Sequence, residues 1–156
     1  MTNIYFPDEE IEINDVYFVC YMIERVAIKI MQKNRYVLNV IGKEELKHLL
    51  SVANVLHAAN PLDVEDEWIE AYSLKQGDFD ITSVDKELVS EIPSAIQIGK
   101  VYQRLIIDTM QPGEDYAEAI LRVYNNEICD VIDNYNCSAY YEPSYVIARA
   151  YDAGGF

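Results

Sequence analysis

The chain has 156 residues, of which 27 are acidic and 12 are basic, so its formal net charge is −15 at pH 7. This charge repels nucleic-acid phosphates and anionic lipid, and it favours partners with basic surfaces. Hydrophobic residues make up 51% of the chain, too many for a disordered acidic tail. Three cysteines without a CxxC pair indicate reduced thiols, and no apolar stretch approaches the length of a membrane helix. We therefore expect a folded cytoplasmic protein without membrane contact.

The predicted elements of the first half are helices separated by short breaks. The first is expected over about residues 14–33, and its start is apolar nearly all round, which is typical of a buried central helix. Residues 35–41 are rich in β-branched side chains, and a short strand or a further helical turn both fit. A second helix is expected over 43–59, and a short third helix begins after a capping residue, Asp63.

The second half starts after the best linker in the chain, residues 76–82, which contains glycine and two aspartates. A short helix is expected over 83–89. Helical apolar stripes then run over 98–109 and 116–135, with a Pro-Gly turn between them. Pro143 suits the first turn of a last short helix that reaches Tyr151.

Together these patterns predict a mainly α fold. The expected architecture is a bundle of about six helices, with the segment at 35–41 left open between strand and helix. We expect one domain over residues 1–156, in which 1–76 and 83–156 form two halves that pack across the linker.

The chain lacks the usual marks of catalysis and of cofactor binding. It contains no phosphate-binding glycine loop, and its two histidines and three cysteines lack metal-ligand spacing, so no catalytic residue, cofactor or metal is predicted. His57 shares a helical face with Leu46, Leu50 and Ala53, which predicts a buried imidazole; a small enzyme using His57 is the minor alternative. Cys137 has acidic neighbours and is interpreted as an inert thiol.

The charges are unevenly distributed along the sequence. Residues 60–91 hold ten acids against Lys75 and Lys86. Arg25, Lys29 and Lys33 recur every four residues and share one helix face. They form either a phosphate-binding stripe or a set of partners for the acidic segment, and the second interpretation is favoured.

The candidate partner-binding residues are acids for steering and aromatic side chains for anchoring. Tyrosine supplies a large contact area with a polar tip, and this chain has 13 of them. The candidates are Asp63, Glu65, Asp66 and Glu70 for steering, and Trp68, Tyr140 and Tyr141 for anchoring.

A pattern in residues 15–73 also bears on function. It consists of Phe18, Tyr21, Ile23, Glu24, Ala27, Val55, Leu56, His57, Val64 and Asp66. This pattern resembles a family of small uncharacterised bacterial domains that are often encoded beside an ADP-ribosyltransferase-like toxin. The resemblance implies a helical fold and, through the neighbouring gene, an antitoxin or immunity role; it implies no catalytic residue.

The charge and the resemblance lead to the same functional prediction. We expect a non-enzymatic, acidic protein-binding domain whose partner has a basic surface, such as a toxin from the same operon. The alternative is a nucleic-acid mimic or DNA-associated regulator, in which carboxylates imitate phosphates. Direct nucleic-acid binding is not expected, and a homodimer stays open.

Overall fold

The structure is a computed structural model, and it describes residues 1–3 and 5–156. The described residues are mainly helical, which confirms the predicted fold class. They contain a 3₁₀ turn, Ala139–Tyr141, and seven α-helices: α1 (Ile13–Ile30), α2 (Asn34–Leu56), α3 (Pro61–Ala71), α4 (Ala95–Asp108), α5 (Tyr116–Tyr124), α6 (Ile128–Ile132) and α7 (Ser144–Ala153).

Helix α1 is the central element of the bundle, as its all-round apolar start predicts. It packs against α4, α2 and α3. At its N-terminus the Asp15 carboxylate accepts the backbone N–H of Glu12 at 2.8 Å. The helix ends where Met31 takes a left-handed conformation, with φ of 53°. Its burial on several sides is what places side chains such as Glu24 in the interior.

Residues 35–41 are helical, so the strand alternative is wrong. They form the first part of α2, and Val37, Leu38 and Ile41 are buried. The spacing of these side chains suits one face of a helix, and this face meets the core. Gly42 has φ of 78° inside α2 and kinks it, because this backbone conformation strongly favours glycine.

Two predictions in the second half are wrong. Residues 83–89 form no helix: residues 86–88 are in a turn, Leu88 is exposed, and Val84 is only partly buried against the core. The stripe over 116–135 is broken after α5, because the side chain of Asn126 accepts the backbone N–H of Ile128 at 2.9 Å. Asparagine often stabilises turns in this way.

The two halves of the chain share one hydrophobic core. Helices α1 and α4, which come from different halves, pack directly on each other. Gly99 makes their close approach possible, because a Cβ atom at this position would lie 3.0 Å from the Cα atom of Tyr21. The linker between the halves is also bound to the bundle: the N–H of Gly77 donates to the carbonyl of Ile30 at 2.7 Å.

Candidate protein-interaction surface

The outer face of α3 carries a row of exposed carboxylates. Asp63, Glu67 and Glu70 are exposed and lie four and three residues apart, so they share one side of the helix. Asp66 borders them and forms an ion pair with Lys29 at 2.7 Å. The Asn60 side chain caps α3 by accepting the N–H of Leu62. We refer to Asp63, Glu67 and Glu70 as the α3 acidic row.

Two of the predicted partner-binding residues point inward from α3 instead. Trp68 is 2% exposed and belongs to the core. Glu65 is buried, and its carboxylate lies 2.6 Å from Nε of Arg25 and 3.5 Å from Nζ of Lys29. These positions do not agree with a surface anchor or a steering charge. Val64 and Trp68 are one helical turn apart, and this spacing already marks the inner face.

The basic residues of α1 are engaged by acids of α3. Arg25 and Lys29 pair with Glu65 and Asp66, which confirms the interpretation that they are partners of the acidic segment rather than a phosphate-binding stripe. Lys33 lies elsewhere, 3.9 Å from Asp130. The exposed Lys29–Asp66 pair stabilises the fold by at most about 1 kcal/mol, whereas Arg25 and Lys29 together neutralise the buried carboxylate of Glu65.

Tyr140 and Tyr141 lie on the 3₁₀ turn before α7, away from the α3 acidic row. Tyr141 is 75% exposed, whereas Tyr140 is partly buried and meets Tyr135 edge to face at 5.5 Å between ring centres. Both line a cavity of about 210 Å³ between α4 and α7. Lys100 and Arg104 line the same cavity, so the predicted aromatic anchors face basic side chains.

His57 is at the surface, so the prediction of a buried imidazole is wrong. It follows the last residue of α2, where the helix has run past the core, and its ring lies 5.1 Å from that of Phe18. It lines a shallow cavity with Asp15, whose carboxylate already caps α1. A catalytic role for His57 stays a prediction. Cys137 is half-buried, and its Sγ lies 3.2 Å from the carbonyl of Asn134.

A buried polar cluster at the centre of the bundle was not predicted from the sequence. Nδ2 of Asn34 donates to Glu24 at 3.1 Å and to Asp133 at 3.0 Å, and so bridges two carboxyl groups. The Tyr102 hydroxyl donates to Asp133 at 2.6 Å. The ring of Tyr102 stacks on that of Tyr124 with 4.2 Å between centres. Five different parts of the chain therefore meet at this cluster.

The cluster favours a protonated Glu24 beside an ionised Asp133. Burial raises the pKa of Glu24 well above its usual value, and the charge of Asp133 raises it further. Burial also raises the pKa of Asp133 to about 6, although hydrogen bonds from Tyr102 and Asn34 oppose this shift. Because Asp133 receives two donors and Glu24 only one, the proton belongs on Glu24.

A cavity of about 320 Å³ opens above the cluster. Asp133 lines it together with Asp80, Asp130, Phe79 and Lys33. The ammonium of Lys33 lies 5.5 Å from the centre of the Phe79 ring, so the positive charge of Lys33 already lies against the aromatic side of this cavity. Within the described residues, no three His, Cys, Asp or Glu side chains are grouped closely enough to hold a metal ion.

Comparison with known proteins does not assign the chain to a family. No protein-family model, no curated protein and no solved structure matches this chain. The resemblance over residues 15–73 therefore stays a prediction. The helices that the structure describes are all too short or too polar to cross a membrane.

Proposed function

We propose that the protein is a non-enzymatic binding protein that recognises a basic surface of another protein through the α3 acidic row. One observation carries this proposal. Asp63, Glu67 and Glu70 are exposed, share one helix face, and have no ion-pair partner among residues 1–3 and 5–156. The other two acids of α3, Glu65 and Asp66, are paired with cations of α1.

The row is presented on a helix that is held in place. Trp68 is buried in the core, and the Arg25–Glu65 ion pair ties α3 to α1. A partner would therefore meet carboxylates whose backbone is already ordered, which reduces the entropy lost on binding. The net charge of −15 would also accelerate encounter with a basic protein.

The partner that we favour is a different protein rather than a second copy. Two copies that each carry −15 repel one another, whereas a basic protein is attracted. In its finer form the proposal is an antitoxin or immunity role, with a toxin of the same operon as the partner. The resemblance of residues 15–73 supports that choice.

The experiment compares two sets of charge reversals. The protein is co-expressed with the product of the adjacent gene, and the complex is analysed by size exclusion at about 50 mM and about 500 mM salt, since salt screens such contacts. Asp63→Lys, Glu67→Lys and Glu70→Lys are combined in one variant. The control variant reverses three exposed acids of the N-terminal segment, Asp8, Glu9 and Glu10, and so changes the net charge equally.

We expect the α3 variant to weaken binding by at least about tenfold and the control variant to weaken it far less. Equal losses in the two variants would mean that only the overall charge matters, and the α3 acidic row would not be the site. Separate elution of the two unmodified proteins at both salt concentrations would contradict the proposal itself. Capture of a DNA-binding protein through its nucleic-acid groove would support mimicry instead.

A further inference from the structure

Two basic side chains of α4 form no ion pair within the described part of the chain, whereas most other basic residues do. Ion pairs with carboxylates engage Arg25, Lys29, Lys33, Arg35, Lys43, Lys47 and Arg122. Lys100 and Arg104 have no carboxylate within 4.0 Å in the described part of the chain. They lie four residues apart on one helix, where like charges repel. An anion bound between them would remove this repulsion.

Both side chains line the cavity between α4 and α7, which also offers hydrogen-bonding groups. Gln97 and Ser144 are part of its wall, and Glu142 is the one carboxylate in the lining. The α7 helix starts at Ser144 without a side-chain cap, so the positive end of its dipole adds to the favourable potential for an anion. At physiological salt, charges beyond about 8 Å are largely screened, so these near groups outweigh the net charge of the protein.

A second cavity continues this groove on the far side of Tyr140. It measures about 550 Å³ and shares Tyr140 with the first cavity, and its lining contains Leu88 and Val89 among polar residues that include Glu91. Leu88 is 72% exposed, and Tyr141 borders the first cavity. The apolar side chains of Leu88 and Tyr140 therefore lie beside the basic part of the groove. This arrangement suits an extended segment that carries an acidic side chain followed by an apolar side chain.

We propose that this groove, lined by Lys100, Arg104, Tyr140, Tyr141 and Leu88, binds an acidic peptide segment of the partner protein. A glutamate or aspartate side chain lies between Lys100 and Arg104, and the next apolar side chain packs on Tyr140 and Leu88. The inference rests on the proposed protein-binding function and adds a second contact to it. The partner would thus combine a basic surface for α3 with a local acidic segment for the groove.

The test is an NMR titration of the ¹⁵N-labelled full chain with a capped hexapeptide, Ser-Glu-Glu-Leu-Phe-Ser. We expect amide shifts concentrated in α4, around Leu88 and in residues 138–147. The same peptide with glutamines in place of both glutamates should bind at least about tenfold more weakly, because its charge is gone. A nucleotide, ATP, serves as the competing class of anion.

Matched variants locate the contact. Lys100→Gln with Arg104→Gln should weaken peptide binding by about tenfold or more, since both substitutions remove a charge that faces the ligand. The control variant, Lys75→Gln with Lys86→Gln, removes two cations that also lack ion pairs in the described chain but do not line the groove. It should change the affinity for the peptide by less than about twofold. All four side chains are exposed, so these variants keep the fold.

The proposal is overturned if the glutamine peptide binds as well as the glutamate peptide, if the two double variants behave alike, or if the peptide causes no shift. Shifts of the same amides with ATP and none with the peptide would assign the groove to a small anion and would also overturn it. The α3 charge reversals should leave peptide binding unchanged. Failure of the peptide together with co-elution of the adjacent gene product would therefore remove the groove and keep the proposed function.

Discussion

Glu24→Gln should make the protein more stable at neutral pH, although it removes a buried hydrogen-bonding acid. Glu24 is 1% exposed, and its folded-state pKa is raised, first by burial and then by the charge of Asp133. Glutamine has nearly the shape of a protonated glutamate. Its carbonyl can still accept from Nδ2 of Asn34, and its amide can donate where the carboxyl proton was. The variant therefore keeps the neutral form and removes only the ionisation.

The pH dependence follows from the direction of the shift. In the unfolded chain the glutamate ionises above its ordinary pKa of 4.5, whereas in the fold it keeps its proton. The folded state thus binds more protons, and the free energy of unfolding of the unmodified protein falls as pH rises. Glu24 contributes a loss of about 1.4 kcal/mol per pH unit, from about pH 5 up to its raised folded pKa. Glu24→Gln removes this loss, so its stability relative to the unmodified protein should increase with pH over that range.

The assay is urea unfolding of both proteins, followed by circular dichroism at several pH values between about 4 and about 8. The difference between their free energies of unfolding should be near zero at the acidic end and should grow with pH. Glu70→Gln, which changes an exposed carboxylate of α3, is the control, and its difference should stay flat. A Glu24→Gln difference that does not depend on pH would refute the assignment of the proton to Glu24.

Three further substitutions test the packing and the ion pairs by the same unfolding measurement. Gly99→Ala should lower the free energy of unfolding by about 1–3 kcal/mol despite the better helix propensity of alanine, because its Cβ would lie 3.0 Å from the Cα of Tyr21. Unchanged stability would show that α1 and α4 can move apart to accept the methyl group. Trp68→Ala should lower the free energy of unfolding by about 3–5 kcal/mol because the side chain is buried. A near-neutral result would indicate that Trp68 lies at the surface. Arg122→Lys should lower the free energy of unfolding by about 1–3 kcal/mol, because lysine cannot reproduce the two 2.7 Å hydrogen bonds that Arg122 donates to Glu114. Equal stability of the two proteins would argue against this bidentate pair.

The helical class follows from local patterns that need no knowledge of distant residues. The apolar start of α1, the Ser94 side chain that caps α4 and the turn before α5 all act within a few residues. Local patterns failed at 83–89, because apolar residues such as Leu88 form a helix only when a core lies on their side. The α3 acidic row was partly predicted, since Asp63 and Glu70 were named for their charge.

The strongly acidic character of the chain and its helical periodicity are properties of composition and of near neighbours, and both could be seen before any fold was known. The cluster of Glu24, Asn34 and Asp133 could not, because its hydrogen bonds join residues 10 and 99 positions apart. A glutamate on a helix has the same local pattern whether water or another carboxyl group faces it. Packing alone decides this, since burial removes the water that would otherwise stabilise the charge.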